Sequence, residues 1–499
     1  MKIIIDQRTL RSAVDKTALF IPNKSTLPQL ETMRVCANGK IEFSGTDLES
    51  WIHLTVPLAA PVAMDYSVVP HVEIDHGVKT EIEGSVNIPV ELFHKAIGAM
   101  KEGCQTTLET SEVKAPNGRK YAGLKMLIGT QLVASIAVDE TADLPKQPSI
   151  GTGARSFLLE ATKLRAIVAK LESFVRTDDL YPAQMGIQFA YDGSNIGGTM
   201  HVTATNGMML ASLSFPALAG DTRQADHAGL LDHTFSFIVP LPLLRKAVRV
   251  LDGIVTIKFT GEHIQFESNG CEVTGKLIDE KYPDWQPLVP REIPYHLATS
   301  RDAALSSLTR MMLIATHEGS RITLLMTEPG YMGVAGGRVR DYSSNQLQIA
   351  AHDWAGNEGT ERLPGAFEST EAGLNIDFNA GLLRDVLQSL ECADVTAEFS
   401  SNRRAAIFRE TTEMGMESIY LLMPLAEEKP RDDMRNTPLA ECDNVQPEPE
   451  PVETDEEHAD AEEDDEEFQR QKRDHETEND ITEFVQAQQA AIVEEEVKS

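Results

Sequence analysis

The sequence predicts an α+β protein of three tandem domains followed by an acidic, disordered tail. Three observations lead to this fold class: a helix and strand pattern that occurs three times, a length that suits three domains, and a change of composition near residue 427. The chain has 499 residues, and a domain takes about 150 residues. Each domain is therefore long enough to bury a core of its own.

The recurring pattern is an amphipathic helix that follows an extended apolar segment and leads into an alternating strand. Counted from a first residue, apolar side chains stand 4, 5, 8, 9 and 12 positions further on, which places them on one face of a helix. The first residues are Ile88, Val239 and Phe378, so the copies are 151 and 139 residues apart. That spacing is typical of whole domains and is too long for a solenoid repeat.

Each domain also contains an earlier unit of the same design, a helix followed by several antiparallel strands. The Asn38-Gly39 pair is a hairpin signal between two of these strands. The additional helices are expected at 10–19, 161–174 and 303–314, and the strands at 2–6, 33–45 (a hairpin), 51–58, 121–128, 132–138, 186–193, 200–207, 209–215, 263–268, 272–279, 321–326, 346–350, 405–410 and 418–424. With two units per domain, the chain has six similar units. The predicted divisions are three domains at 1–148, 149–291 and 292–426, and a tail at 427–499.

The tail differs from the rest of the chain in charge and composition. It carries 27 acidic and 7 basic residues, whereas the preceding residues carry 51 acidic and 38 basic ones. Because the tail is rich in Glu, Asp and Pro and poor in apolar residues, it cannot bury enough surface to offset the entropy of ordering. We therefore expect residues 427–499 to be disordered.

The composition indicates a soluble, cytoplasmic protein without a cofactor or metal centre. The first ten residues contain no apolar signal-peptide core and no run of about 18 apolar residues is present, so neither export nor a membrane partner is expected. The 5 cysteines stand singly without a CxxC pair, which indicates thiols in a reducing compartment rather than a disulfide framework or a zinc site.

Basic residues concentrate on the predicted helices, although the net charge of the chain is −33. One at a time, such residues are ordinary solvated charges. Basic helices in equivalent places instead favour a shared cationic surface, for which the nucleic-acid backbone is the natural polyanion. The sequence has no recognition-helix signature, RNP-type aromatic run or zinc-finger spacing, which favours backbone contact without base readout. The candidate DNA-facing residues on helices are Lys95, Lys163, Lys170, Arg245, Lys246 and Arg249.

Five further segments carry the most specific information in the sequence. They are TLPQLETMRV from Thr26, FSGTDLE from Phe43, VTATNGMMLA from Val202, GKLIDEKYPDWQPLVP from Gly275 and YLLMPL from Tyr420. Together and in this order, they resemble the bacterial β sliding clamps, the processivity subunits of replicative DNA polymerase III. The resemblance covers about residues 1–425 and does not extend to the tail.

The resemblance implies three DNA-clamp domains, each with two antiparallel sheets and two helices. Two such subunits would assemble head to tail as a homodimer, a closed ring of six domains whose helices line the hole; heterologous contacts between similar units close in this way when the rotation permits. The protein would be a non-catalytic processivity factor that encircles double-stranded DNA without sequence preference. Its expected partners are the catalytic subunit of the replicative DNA polymerase, the clamp loader, and other replication or repair proteins.

The resemblance also implies a hydrophobic peptide cleft between domains 2 and 3 that these partners share. Its expected residues are Thr205, Gly207, Met208, Met209, Leu210, Pro283, Pro287, Leu288, Leu421, Leu422, Met423, Pro424 and Leu425. The family usually has a basic pair where this chain has Met208 and Met209. Two methionines make the expected cleft more apolar and more adaptable.

Two other sites follow from the same resemblance. Lys24 matches the position of a basic, DNA-facing residue in the first loop of domain 1. In the dimer interface, Ala134 and Ile136 of domain 1 would meet Leu313 and Ile314 of domain 3 of the other subunit.

Two alternatives remain beside the clamp. An enzyme is less favoured, because GxxxxGK[ST], HExxH and GxSxG are all absent from the sequence. A DNA-independent protein-interaction scaffold of clamp fold stays open, because the net charge of the chain is so negative.

Overall fold

The computed structural model describes twelve stretches of the chain. They are residues 1–56, 78–100, 103–114, 120–138, 144–151, 153–193, 198–216, 234–315, 320–326, 347–352, 357–369 and 373–426. All of them belong to one compact unit, Met1–Glu427. The acidic tail predicted at 427–499 lies outside the described residues.

These stretches contain six α-helices and 26 strands. The helices are α1 Gln7–Ala18, α2 Val90–Gly98, α3 Ala161–Leu171, α4 Leu241–Val250, α5 Arg301–Met311 and α6 Ala380–Ser389. The strands of the first predicted domain are β1 Lys2–Asp6, β2 Thr32–Ala37, β3 Ile41–Thr46, β4 Ser50–Val56, β5 Lys79–Ile82, β6 Gly84–Pro89, β7 Gln105–Lys114, β8 Lys120–Ile128 and β9 Gln131–Ala137. Those of the second are β10 Arg155–Glu160, β11 Gly186–Asp192, β12 Thr199–Thr205, β13 Met209–Pro216, β14 Phe235–Pro240, β15 Ile254–Phe259, β16 His263–Ser268 and β17 Cys271–Lys276. Those of the third are β18 Tyr295–Ser300, β19 Arg321–Met326, β20 Leu347–His352, β21 Glu358–Leu363, β22 Gly365–Ser369, β23 Leu374–Asn379, β24 Asp394–Phe399, β25 Ala406–Thr411 and β26 Glu417–Leu422.

Within each domain the two units exchange their first strands. β1 precedes α1 but pairs with β7 of the second unit, whereas β6, which precedes α2, pairs with β2 of the first unit. The second domain repeats this exchange with β10 on β15 and β14 on β11, and the third with β18 on β24 and β23 on β19. Each domain therefore has two antiparallel sheets packed against two helices, which confirms the predicted fold class.

Two of the four sheets continue from one domain into the next. β4 pairs with β17 in a sheet of 8 strands that joins domains 1 and 2, and β13 pairs with β26 in a sheet of 9 strands that joins domains 2 and 3. The other two sheets have 5 and 4 strands, with β9 and β21 each at one end. Backbone hydrogen bonds thus hold neighbouring domains together, and β9 and β21 are edge strands among the described elements.

The core is built from the inward faces of the sheets and one face of each helix. On α4, Leu244, Ala247 and Val250 are buried at helical spacing. Leu243 of the same helix lies directly over Gly275 of β17, where a β-carbon would come within 2.3 Å of the leucine Cδ2. Glycine at this position lets α4 approach the sheet closely.

Some elements differ from the sequence predictions. α1 begins at Gln7 rather than at residue 10, because the Asp6 carboxylate accepts hydrogen bonds from the backbone N–H groups of Arg8 and Thr9 at 3.1 and 3.2 Å and so caps the helix. Leu92, predicted to face the core, is 55% exposed. That prediction is wrong, because the first turn of α2 borders an open cleft of about 940 Å³ along the 22–32 segment. β5, β10, β18, β21 and β22 were not predicted.

None of the helices in the described stretches is long and apolar enough to cross a membrane. The stretches also contain no group of three or more His, Cys, Asp or Glu side chains arranged to hold a metal ion.

Candidate functional site

The predicted cleft lies where β13 meets β26. In this antiparallel pair Leu210 stands opposite Leu421, and Met209 stands opposite Leu422. Successive side chains of a strand point to opposite faces of the sheet. Leu210 and Leu421 accordingly lie in a small apolar cluster on one face, whereas Met209 and Leu422 lie in the main core on the other.

This alternation corrects the predicted set of cleft residues. Met209 and Leu422 point into the main core on the opposite face of the sheet, so they support the sheet and are not available to a peptide bound on the outward face. Leu210 and Leu421 on the strands, and Met423 directly after β26, share the outward face.

The outward cluster is a compact apolar patch that is partly covered by a neighbouring segment of the chain. Leu210, Ala405, Ile407 and Leu421 are buried in it. The partly buried residues packed against them are Trp285, Val289, Ile293, Ile419 and Met423. The 285–293 segment between domains 2 and 3 therefore covers part of the β13–β26 junction.

The turn before β13 is fixed by side-chain hydrogen bonds. The Asn206 Oδ1 atom accepts from the backbone N–H groups of Met208 and Met209 at 3.0 and 2.9 Å, and the Thr205 hydroxyl donates to the Met209 carbonyl at 2.8 Å. Gly207 has a φ of 90°, a conformation that glycine adopts without steric cost. This geometry holds Met208 outward, with its side chain 43% exposed.

The segment that carries Pro283 is anchored below the site. The buried Tyr282 hydroxyl donates to the Thr203 carbonyl on β12 at 3.3 Å, and burial raises the pKa of Tyr282. Pro283, Pro287 and Leu288 remain exposed beyond this anchor. They therefore belong to the rim of the cleft rather than to its floor.

The C-terminal end of the cleft is tied to both domains. The backbone N–H of Met423 donates to the Met208 carbonyl at 2.9 Å, and that of Leu425 donates to the Asp377 carbonyl at 2.8 Å. Met423, Pro424 and Leu425 are half-buried. An open cavity of about 740 Å³ adjoins the covering segment and is lined by Pro287, Val289 and charged residues that include Arg291 and Arg404.

Sequence reasoning missed Arg176 at this site. Its guanidinium donates to the Asp178 carboxylate at 2.6 Å and to the Asn206 carbonyl at 3.3 Å, and lies 4.6 Å from the ring centre of Tyr181. The hydrogen bond from Arg176 lowers the pKa of Asp178. Arg176 thus ties the exposed Leu180-Tyr181 pair to the Asn206 turn, and the RTDD run next to Tyr181 was the signal that would have found it.

Some of the predicted DNA-facing residues are exposed, and others contact groups within the protein. Lys24 and Arg249 are exposed. Lys95 and Arg245 are also exposed, but form ion pairs with Glu91 at 2.6 Å and with Glu172 at 3.0 Å.

Three of the predicted DNA-facing cations, Lys246, Lys163 and Lys170, contact other groups of the protein, and the first two are partly exposed. Lys246 bonds to the Asp47 carboxylate across the junction of domains 1 and 2, and this bond outweighs burial and lowers the pKa of Asp47. The Lys163 ammonium lies 3.9 Å from the ring centre of Phe215, and burial lowers its pKa. Neither cation is freely presented to a polyanion.

Lys170 is the clearest correction, because it is buried. Its ammonium donates to the Ser389 carbonyl at 2.8 Å and forms ion pairs with Glu410 at 3.0 Å and Glu391 at 3.1 Å. The Tyr420 hydroxyl also donates to Glu410, at 3.2 Å. Lys170 therefore joins domains 2 and 3 and does not face DNA in this structure. Lys163 and Lys170 lie on the same helix, and the sequence offered no signal that α6 would cover one of them.

The predicted dimer-interface residues lie on the edge strand β9 and on the turn after α5, the helix that packs on the edge strand β21. Ala134 and Ile136 are on the edge strand β9, half-buried and buried respectively. Leu313 follows α5 and is 78% exposed, whereas the neighbouring Ile314 is half-buried. No partner chain is present, so the interface stays a prediction.

Comparisons with known proteins agree with this architecture. No protein-family model matches the chain. The β sliding clamps of Salmonella typhimurium and of Escherichia coli K12 are each 22% identical to it over 431 residues, which cover 85% of this chain and 100% of the relative. The sliding clamp of Bacillus subtilis superposes with a TM-score of 0.67 at 17% identity, over 86% of this chain and 100% of that one. A sliding clamp of Bartonella birtlesii bound to griselimycin superposes with a TM-score of 0.68 at 19% identity, over 86% of this chain and 100% of that one. These findings confirm the resemblance drawn from the sequence.

Proposed function

We propose that this chain, which has the fold of the DNA polymerase sliding clamps, is itself a sliding clamp and non-catalytic processivity factor. Two copies would form a closed ring around double-stranded DNA in the cytoplasm. The ring would tether the replicative polymerase, the clamp loader and other replication or repair proteins through the cleft at the β13–β26 junction. The observation that carries the proposal is the pairing of strands across both domain junctions.

Both domain junctions within the chain follow one rule. The third strand after the first helix of a domain pairs with the third strand after the second helix of the next domain, as β4 does with β17 and β13 with β26. β21 is the third strand after α5, the first helix of domain 3, and β9 is the third strand after α2, the second helix of domain 1. Pairing β21 of one copy with β9 of another repeats the rule, and two such pairings close a ring.

The state of the basic residues suits a mobile contact with DNA. Of the four exposed cations predicted to face DNA, Lys95 and Arg245 are paired with carboxylates, whereas Arg249 and Lys24 have no ion pair among the described residues. A few backbone contacts give weak, salt-sensitive binding, with log K falling by about 0.9 per phosphate contact against log salt. Retention would then come from encirclement rather than from adhesion.

Retention on closed and open DNA tests the ring. Protein bound to nicked circular duplex should co-elute with the DNA on gel filtration and should be released when a restriction enzyme linearises the circle. Arg249→Ala should speed release from the circle only slightly. Equal retention on circular and linear DNA would contradict encirclement.

The same measurement separates the second candidate function. Pairing of Lys246, Lys170 and Arg245 with carboxylates and the net charge of −33 favour a scaffold that binds proteins only. A chain that dimerises and binds peptides but is not retained on nicked circles at low salt would be such a scaffold.

The cleft is proposed as a docking site for short linear peptides with apolar ends. Exposed Met208, Leu288, Leu180 and Tyr181 surround a patch whose turn and covering segment are fixed by hydrogen bonds. Each apolar peptide side chain buried there contributes roughly 1.5–3 kcal/mol, from which the entropy of ordering the peptide is subtracted. Three such side chains give affinity of micromolar order, which permits exchange of partners.

Two methionines form a matched test of the cleft. Met208 is 43% exposed and Met414, in the β25–β26 turn, is 46% exposed, so an aspartate at either position is solvated in the free protein. Titration of a Gln-containing peptide ending in Leu and Phe should show at least tenfold weaker binding to Met208→Asp, and unchanged binding to Met414→Asp. Equal affinities for the two variants would place the partner site elsewhere.

A further inference from the structure

Two lysines in equivalent positions connect the domains of this chain. Lys16 is the tenth residue of α1, and Lys170 is the tenth residue of α3. The Lys16 ammonium donates to the carbonyl of Val250, the tenth residue of α4, at 3.2 Å. The Lys170 ammonium donates to the carbonyl of Ser389, the tenth residue of α6, at 2.8 Å.

The contacts have the same physical basis at both junctions. The last carbonyls of a helix lack partners within the helix and carry partial negative charge, so a cation placed there is stabilising. Each lysine also forms an ion pair with the acidic residue two positions after the carbonyl that it caps. Lys16 pairs with Asp252 at 3.3 Å, and Lys170 pairs with Glu391 at 3.1 Å. At each junction, then, a basic residue of one domain caps the second helix of the next domain.

The helices involved lie on the strands that join the domains. α1 packs on β4 and α4 on β17, and these two strands pair; α3 packs on β13 and α6 on β26, and these also pair. The one remaining set is α5 on β21 and α2 on β9. Among the described strands, β21 and β9 do not pair with each other.

In the remaining set, α5 and α2, the residues equivalent to the capping lysine and to the capped carbonyl are both exposed. The tenth residue of α5 is Arg310, whose side chain is 53% exposed and pairs with Glu361 of β21 at 2.5 Å. α2 has only nine residues. The position equivalent to Val250 is Ala99, directly after the helix, which is exposed, whereas Val250 is buried. Leu313, on the turn after Arg310, is exposed as well.

We propose that Arg310 of one copy donates a hydrogen bond to the Ala99 carbonyl of a second copy, and so caps α2 across the subunit boundary. This contact rests on the ring dimer proposed above. It is a polar bond that fixes the register of the two copies at the subunit boundary. A guanidinium has five N–H donors, so Arg310 keeps its bond to Glu361 while it reaches the carbonyl. A closed ring contains this contact twice.

Dimer dissociation measured by sedimentation at decreasing concentration tests the contact. Arg310→Met removes the donor at both boundaries; at about tenfold for each charge-assisted bond, the dissociation constant should rise about 100-fold. Arg310→Lys places at this position the residue that caps the helices at the other two junctions, and should dimerise nearly as well as the wild type. Glu361→Gln is the matched control, because it removes the ion pair within domain 3 and leaves the donor in place.

The outcomes separate this inference from the proposed ring. A wild-type dimer whose dissociation constant rises equally in Arg310→Met and Glu361→Gln, or in neither, would overturn the capping contact and leave the ring intact. A crystal structure of the dimer with the Arg310 guanidinium more than 5 Å from the partner carbonyl would do the same. A monomeric wild type at micromolar concentration would overturn both.

Discussion

Replacing Lys170 with methionine tests how domains 2 and 3 are held together. The ammonium bonds to the Ser389 carbonyl and to the carboxylates of Glu410 and Glu391 at 2.8, 3.0 and 3.1 Å. The side chains of Lys170 and Glu410 are only 8% and 3% exposed. Methionine keeps an unbranched side chain of similar bulk and removes the charge, so the buried Glu410 loses its cation.

The expected loss of stability follows from that burial. Breaking a buried ion pair by removing one partner costs about 3–5 kcal/mol, because the remaining charge is left uncompensated. The Glu410 carboxylate keeps hydrogen bonds from the backbone N–H groups of Glu391 and Cys392 at 2.8 and 3.2 Å. We therefore expect a loss near the lower end, about 3 kcal/mol.

Chemical denaturation followed by circular dichroism measures this loss. Because a chain of several domains need not unfold in one step, the comparison applies to the first transition. Arg249→Met is the control, since it makes the same charge change at an exposed site, where substitutions stay within about 0.5 kcal/mol. Adding Glu410→Gln to Lys170→Met should recover most of the loss, because no buried charge is then left without a partner.

Two results would refute the reasoning. One is a loss below about 1 kcal/mol in Lys170→Met, a size typical of exposed ion pairs. The other is a double variant no more stable than the single one. Faster release from circular DNA by a fully folded Lys170→Met protein would return Lys170 to the DNA-facing surface.

Three further predictions concern pH, the subunit boundary and the tail. Burial raises the pKa of Glu410, but the hydrogen bonds to its carboxylate and the charge of Lys170 outweigh burial and hold this pKa below the ordinary value of 4.5. The stability that Glu410 contributes is therefore present above pH 4.5 and is lost as the pH falls through the lowered pKa. Glu410→Gln should make the free energy of unfolding depend less on pH in the acid range. Leu313→Lys should give monomers on sedimentation, because it places an unpaired charge in an apolar interface, whereas Leu27→Lys, at another exposed leucine, should leave the dimer intact. Deletion of residues 427–499 should leave dimerisation and the thermal midpoint nearly unchanged, and a monomeric deletion variant would show that the tail takes part in closure.

Much of the fold followed from local sequence patterns. Strand β1 at Lys2–Asp6 and the hairpin around Gly39, with its φ of 69°, agree with the prediction, because alternation and turn residues act over a few positions. The exchange of first strands between units was not predictable in this way. Which strand lies beside β1 depends on how α1 and α2 pack in three dimensions, and no periodicity within β1 records it.

The cleft shows the same division at the level of single residues. The sequence brought Leu210, Leu421 and Met423 to one site through the resemblance to the clamps. It grouped Met209 and Leu422 with them, although a strand turns neighbouring side chains to opposite faces. Arg176 was missed although Asp178 stands only two positions away, because its contacts with Asn206 and Tyr181 form only in the folded chain.

The sequence by itself determined the three copies of the helix and strand pattern, the concentration of positive charge on helices, and the acidic composition after residue 426. Only the tertiary structure decided which charges stay in solvent. Lys163, Lys170 and Arg249 are all basic residues of amphipathic helices. In the structure, Lys163 lies over an aromatic ring, Lys170 is buried in an ion-pair network and Arg249 is exposed. The reason is that helical periodicity fixes the direction in which a side chain points from the axis of its own helix, whereas burial depends on which other element, of the same or another domain, packs there.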